Sequence, residues 1–281
     1  MINMLEHPRL VNLKGWCYEK GEAMLVYQFM SNGSLADQLF GKSNPTMLTS
    51  KIRVEILKGV AEALNHLHSA GAVHRDVKAA NVLLTSEFEA MLGDFGLLRL
   101  LKDDNHMTQT ATAAGTPGYA VPELLFTRVP TNKVDVYSYG VLALELACGR
   151  RAIEPRFDQP EQRSLLDWVW WKQESGVLLS VLEARMMEAN DGVEGEEKKR
   201  IWRCILHLAL RCCHPIPDER PQMQEVLETL ENGILMAVEP SRPSYPGAFV
   251  LHHPGLSGDI NYTTTSSSYN SGLYTSSGSS M

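Results

Sequence analysis

Two short stretches hold the side chains that could do chemistry. His74-Arg75-Asp76-Val77-Lys78-Ala79-Ala80-Asn81 packs a carboxylate, an ammonium and an amide into one loop-sized segment, and Asp94-Phe95-Gly96 begins 18 residues after Asp76. A carboxylate can accept or orient a hydroxyl proton. A nearby ammonium can offset charge on a phosphoryl group in flight. An amide oxygen beside a carboxylate makes a pair of hard ligands suited to magnesium held together with substrate phosphates. A base, a cation and a metal clamp are the parts that phosphoryl transfer needs.

These side chains must be brought together by the elements around them. Residues 82–84 and 91–92 are brief apolar runs on either side of Thr85-Ser86-Glu87-Phe88-Glu89, and they read as a hairpin. In an antiparallel pair the start of one strand lies opposite the end of its partner, so Asn81 and Asp94 are expected to be neighbours. Upstream, residues 50–69 place Ile52, Ile56, Leu57, Val60, Leu64 and Leu67 on one helical face. Residues 10–18 and 23–30 read as a further hairpin around Glu19-Lys20-Gly21-Glu22, broken by Asn32-Gly33-Ser34.

Downstream, residues 100–130 lack strong periodicity and are rich in Thr, Gly and Pro, which marks a functional or disordered loop. Four helical patterns follow. Residues 134–149 are apolar enough to be buried all round, with Glu145 interrupting the run. Residues 165–175 carry Trp168, Trp170 and Trp171, expected to pack in the core or a groove. Residues 196–213 start acidic, as the helix dipole favours, and residues 223–236 close the folded part. Prolines recur from Pro240, and residues 261–281 hold no charge while 12 of the 21 are Ser or Thr, a composition that cannot bury a core.

Composition narrows the class. The 281 residues are 44% hydrophobic with a net charge of -7, which argues for a globular chain and against nucleic acid as its main partner. Five cysteines, odd in number and without regular spacing, read as reduced thiols of a cytosolic compartment. Cys212-Cys213 with His207 and His214 invites a zinc site, but small apolar residues on a buried helix are the stronger reading. No signal-peptide pattern opens the chain, and the apolar run at residues 141–148 is too short to span a bilayer.

The motifs, taken in order, resemble the protein kinase family. His74 to Asn81 is similar to the catalytic loop and Asp94-Phe95-Gly96 to the metal-binding motif of that family. Gly115-Thr116-Pro117-Gly118-Tyr119 and Ala120-Val121-Pro122-Glu123 resemble the end of an activation segment. Asp135 resembles the central-helix aspartate, and Arg220 the arginine that pairs with the closing glutamate, here Glu123. His7-Pro8-Arg9-Leu10-Val11, Gly15-Trp16-Cys17, Leu25-Val26-Tyr27-Gln28-Phe29-Met30 and Asn32-Gly33-Ser34-Leu35 are similar to plant receptor-like Ser/Thr kinases. The L-type lectin-receptor group is the most similar.

The resemblance implies an α+β, protein-kinase-like fold: a mainly helical large lobe (31–237), a truncated small lobe with its hinge (1–30), and a disordered Ser/Thr-rich tail (238–281). It implies ATP and Mg2+ as cofactors and a protein with a Ser or Thr acceptor as partner. Asp76 would be the catalytic base and Lys78 the phosphate-neutralising residue, with Asn81 and Asp94 on magnesium. Tyr27 would be the gatekeeper, Gln28, Phe29 and Met30 the hinge, and Leu83 the floor under adenine. His74 opens the loop. Arg75 would pair with a phosphate on Thr108, Thr110 or Thr112. Lys78 and Thr116 favour Ser/Thr over Tyr as acceptor.

The same resemblance makes two sequence departures notable. No G-x-G-x-x-G precedes the catalytic loop, and no Val-Ala-Ile-Lys-like strand is present. Each such electrostatic contact contributes about 3 kcal/mol to transition-state stabilisation, so transfer without them would be slow. A fragment of a longer receptor kinase, a truncated scaffold or decoy, and an enzyme completed by another chain are the competing readings, the first preferred. The function expected is therefore phosphoryl transfer to protein hydroxyls, with a catalytically inactive interaction scaffold as the alternative. The chain alone is expected in the cytoplasm, and on the cytoplasmic side of the plasma membrane within a full-length receptor.

Overall fold

Why the chain folds as it does is clearest from its two longest apolar helices, and a computed structural model shows what they organise. It describes residues 6–41, 48–100, 116–119, 121, 123, 131–154, 160–232 and 240–243. The chain divides into two units, Met1–Pro243 and Ser244–Met281, and every described residue belongs to the first.

Strands β1 (Leu13–Glu19) and β2 (Glu22–Tyr27) form an antiparallel ribbon with Trp16 opposite Leu25 and Cys17 opposite Met24. Lys20 and Gly21 both take positive φ at its tip, the two-residue turn whose twist matches a right-handed ribbon. Both strands are shorter than their apolar runs. Leu10 leaves the ribbon for a parallel bridge to Leu92, and Met30 turns inward to pack with Val11 and Met91. Trp16, Tyr18, Leu25 and Val26 remain exposed.

Helix α1 (Leu35–Phe40) starts at a capping box in which Ser34 and Asp37 exchange hydrogen bonds. Helix α2 (Ser50–Ser69) is capped by the Thr49 hydroxyl, which accepts from the Ile52 N–H. Its Ile56, Leu57, Val60, Leu64 and Leu67 are fully buried, as their 3.6-residue spacing requires. β3 (Ala72–Val73) follows at once. β4 (Val82–Leu84) and β5 (Ala90–Leu92) pair in the register Val82↔Leu92, Leu83↔Met91 and Leu84↔Ala90, and β6 (Arg99–Leu100) returns to pair with β3.

Helix α3 (Asn132–Cys148) is buried at every position from Val134 to Cys148. It has no polar face because α2, α7 (Gly195–Cys212) and α5 (Leu165–Glu174) pack around it. Gly140 makes the closest approach: a Cβ there would sit 2.6 Å from Cys213 Sγ and 2.8 Å from the Ala209 carbonyl. Between these lie α4 (Pro160–Arg163) and α6 (Ala184–Glu188), and α8 (Met223–Asn232) ends the helical body against α2.

Trp170 is buried as expected, and Trp168 lies under the Arg150 guanidinium, but Trp171 is 45% exposed. Cys212 and Cys213 are buried apolar residues. Among the described residues no three His, Cys, Asp or Glu side chains gather to hold a metal. Among them too, no helix is long and apolar enough to cross a membrane. The Ser/Thr-rich stretch 261–281 lies outside the described residues.

Candidate active site

The loop after β3 is anchored from below by Asp135 on α3. This fully buried carboxylate accepts from the His74 N–H at 2.8 Å, from the Arg75 N–H at 2.7 Å and from His68 Nε2 at 3.0 Å. Three donors on one buried carboxylate hold a turn that Arg75 would otherwise resist, since its φ is +73°. His74 locks the other side. Its Nε2–H donates to the Gly93 carbonyl at 2.9 Å, and its Nδ1 accepts from the Asp76 N–H at 3.3 Å. That pattern sets the tautomer, and burial lowers the His74 pKa, so the ring is held neutral. Its edge meets Phe95, tying the loop to the segment after β5.

Asp76 is the centre of the arrangement. Its Oδ2 accepts from Lys78 Nζ at 2.6 Å and from Asn81 Nδ2 at 2.9 Å, and its Oδ1 accepts from the Thr116 hydroxyl at 3.1 Å. Lys78 also donates to Thr116 Oγ1 at 3.2 Å. The carboxylate is thus fixed in orientation by three side chains from two segments of the chain, Lys78 and Thr116 among them standing 38 residues apart.

The β4–β5 hairpin joins the metal candidates. The Gly93 N–H donates to the Asn81 carbonyl at 2.9 Å, so Asn81 and the residue preceding Asp94 are hydrogen-bonded neighbours, as the antiparallel pairing requires. Asn81 Nδ2 is committed to the Asp76 carboxylate and carbonyl, which leaves the amide oxygen to offer a cation. Asp94 has left-handed backbone (φ +59°), accepts from the Gly96 N–H and is exposed. One amide oxygen and one open carboxylate would give an all-oxygen donor pair, too few for a resident metal cage and of the kind that suits magnesium arriving with phosphates.

The residues expected to face a nucleotide lie around the end of β2. Val11, Met30 and Met91 form a small buried cluster with Tyr27 and Leu83 packed against it. The Tyr27 hydroxyl is pushed above its ordinary range chiefly by burial, with the charge of Asp94 acting in the same direction. Gln28 donates its N–H to the Asn12 carbonyl, Gly33 N–H reaches the Met30 carbonyl, and Phe29 is 87% exposed. A cavity of about 420 Å³ beside Gln28 is lined by Glu6, His7, Leu10, Asn12 and Met91, and no catalytic-loop residue borders it.

Arg220 ties down the end of the activation segment. Its guanidinium reaches the two Glu123 oxygens at 2.6 and 2.8 Å, the carbonyls of His214 and Lys133 at 2.6 and 2.8 Å, and that of Pro215 at 3.2 Å. Thr108, Thr110 and Thr112 lie outside the described residues.

Two partners were not legible in the sequence. Tyr119 accepts from the Ala79 N–H of the catalytic loop and donates to buried Glu145 on α3, whose other oxygen accepts from the Ala152 N–H at 2.6 Å. His68 is the third donor to Asp135. The available signal was a charge inside an apolar helix, since a buried carboxylate needs partners.

Burial pushes the Glu145 pKa up from 4.5 to about 7. Between those values the unfolded chain has released the proton and the folded chain keeps it, so stability falls as pH rises through this window. Glu145→Gln is expected to remove that slope, worth on the order of 3 kcal/mol by linkage. Denaturant melts of both proteins at pH 4.5, 6 and 8 check this, and parallel pH profiles would count against it.

A helical body carrying a fixed carboxylate, a lysine on it, and an amide and a carboxylate at a hairpin mouth defines a protein kinase domain. The family model "Protein tyrosine and serine/threonine kinase" matches residues 1–230, and the chain belongs to that family. It is 42% identical over 83% of its length to the Arabidopsis thaliana probable L-type lectin-domain containing receptor kinase S.7, covering 34% of that protein. It is 39% identical over 96% of its length to the putative L-type lectin-domain containing receptor kinase II.2, covering 37% of it. It is 41% identical over 86% of its length to receptor like protein kinase S.3, covering 67% of it. The chain thus spans about a third of the first two relatives. The domain is homologous to plant receptor-like Ser/Thr kinases, a family that generally uses ATP and Mg2+.

Proposed function

We propose that this chain transfers the γ-phosphoryl group of ATP to Ser or Thr hydroxyls of proteins. The observation that supports it most is the convergence of Lys78, Asn81 and Thr116 on the Asp76 carboxylate. In this reading Asp76 orients the acceptor hydroxyl and takes its proton, while Thr116 and Asn81 hold the carboxylate in place. Lys78 offsets negative charge on the phosphoryl group. Asn81 and Asp94 would hold Mg2+, which when bound would neutralise phosphate charge. The backbone of Gln28 to Met30 binds adenine over Leu83, with Tyr27 as gatekeeper. Arg75 would pair with a phosphate on the activation segment. Within a longer receptor kinase the domain would work on the cytoplasmic side of the plasma membrane.

The test is transfer from radiolabelled ATP with Mg2+ to a mixed protein acceptor, followed by phosphoamino-acid analysis. Phosphoserine and phosphothreonine are expected, without phosphotyrosine. A second reading, a non-catalytic interaction module, is favoured by one feature. Trp16, Tyr18, Leu25 and Val26 of the ribbon stay exposed, as a surface awaiting cover would. Label incorporation no faster than in heat-inactivated protein would select that reading.

A further inference from the structure

The family match ends at residue 230, yet residues 240–243 lie against the helical body. Arg242 makes the contact. Its Nη2 donates to Asp167 Oδ1 at 2.6 Å, and its Nη1 lies 3.8 Å from Glu174 Oε2. Asp167 and Glu174 are two turns apart on α5, so both carboxylates share one face of that helix. The segment reads Pro240-Ser241-Arg242-Pro243. Its two prolines carry no N–H and cannot continue a helix, so little besides a side chain can hold it. Among the described residues its polar ties are these two Arg242 pairs. Ser241, next to the arginine, is exposed.

We infer that Arg242 latches the segment after the kinase domain onto α5, and that Ser241 is a phosphorylation site whose modification opens the latch. The donor is Mg·ATP in the hands of a protein serine kinase, and the inference does not depend on this chain's own activity. The γ-phosphorus forms a bond to Ser241 Oγ, its bond to the bridging oxygen breaks to release ADP, and the hydroxyl proton passes to the kinase's base. The product carries nearly two negative charges one residue from Arg242. It competes with Asp167 and Glu174 for the guanidinium through charge-assisted hydrogen bonds. It also repels both carboxylates, so the segment leaves α5. A neutral serine does neither.

The test uses the full chain with phosphoserine installed at position 241 during synthesis. Backbone order at the Ser241 and Arg242 amides is followed by 15N relaxation in low salt. The order parameter is expected to fall from about 0.85 to below about 0.6 on phosphorylation. Arg242→Gln should give the same fall, and phosphoserine should add nothing in an Asp167→Asn/Glu174→Gln background. In 1 M salt the differences should vanish. All substituted positions are partly exposed, so the melting temperature serves as the control for folding. An unchanged order parameter in Arg242→Gln would remove the latch. An unchanged or higher order parameter on phosphorylation would show that Ser241 does not open it.

Discussion

Phosphotransfer by Asp76→Asn is expected to fall by about 10²- to 10⁴-fold, the range that a positioned acid–base group supplies. Asparagine has nearly the same shape and keeps one oxygen to accept from Thr116 or Asn81, so the loop geometry survives. It cannot take the acceptor proton, and it no longer offsets the Lys78 charge. Lys78 is partly exposed, so freeing it costs little in stability. Affinity for Mg·ATP should therefore stay within about threefold, because Asn81 and Asp94 are untouched. That split separates loss of a reacting group from loss of the fold. Equal transfer rates for the two proteins would remove Asp76 from the role of base.

Arg220→Met is the substitution expected to weaken the fold most. All five guanidinium donors are used, two on Glu123 and three on the carbonyls of His214, Lys133 and Pro215. The side chain is fully buried, and Tyr137 stacks at 5.0 Å from its charge. Removing one partner leaves the Glu123 carboxylate, itself largely buried, without its counter-charge, and orphans three carbonyls. Breaking a buried pair in this way costs about 3–5 kcal/mol. For a body of this size that is a fall of roughly 10 °C in melting temperature. Arg220→Lys should rescue little, because an ammonium cannot grip both carboxylate oxygens and three carbonyls together. A shift under about 2 °C would show that the pair does not carry the end of the activation segment.

Much of this architecture was readable from local pattern. Helix α2 runs from Ser50 to Ser69 because its apolar stripe and the Thr49 cap agree on one start. The β4–β5 hairpin was legible because a mainly polar stretch separates an apolar triplet at 82–84 from an apolar pair at 91–92, and that pairing brings Asn81 beside Gly93. The ribbon was legible in kind but not in extent, since only tertiary contacts tell Leu10 and Met30 to leave it. The supports of the site were harder to see. Glu145 looked like an interruption of an apolar run, and its role depends on Tyr119, 26 residues earlier. Lys198 stands among exposed acidic and basic neighbours, yet it is buried against Asp191 at 2.9 Å, and Asp191 in turn accepts from the first turn of α2. Spacing along a chain shows which face a residue shares, not which distant carboxylate waits for it.

The proposed transfer needs one ion shared by Asn81 and Asp94 beside Asp76, and Mn2+ in place of Mg2+ makes that ion visible. Its free concentration, followed by electron paramagnetic resonance during titration of the chain with Mn·ATP, gives the affinity of the ternary complex. Asp94→Asn is expected to weaken that complex at least tenfold while the melting temperature holds, and Asn81→Ala to weaken it at least as much with a fall of a few degrees, because Asn81 is buried and bonded to Asp76. Identical Mn·ATP affinity in the unaltered chain and in both variants would contradict the assignment of Asn81 and Asp94 to the metal.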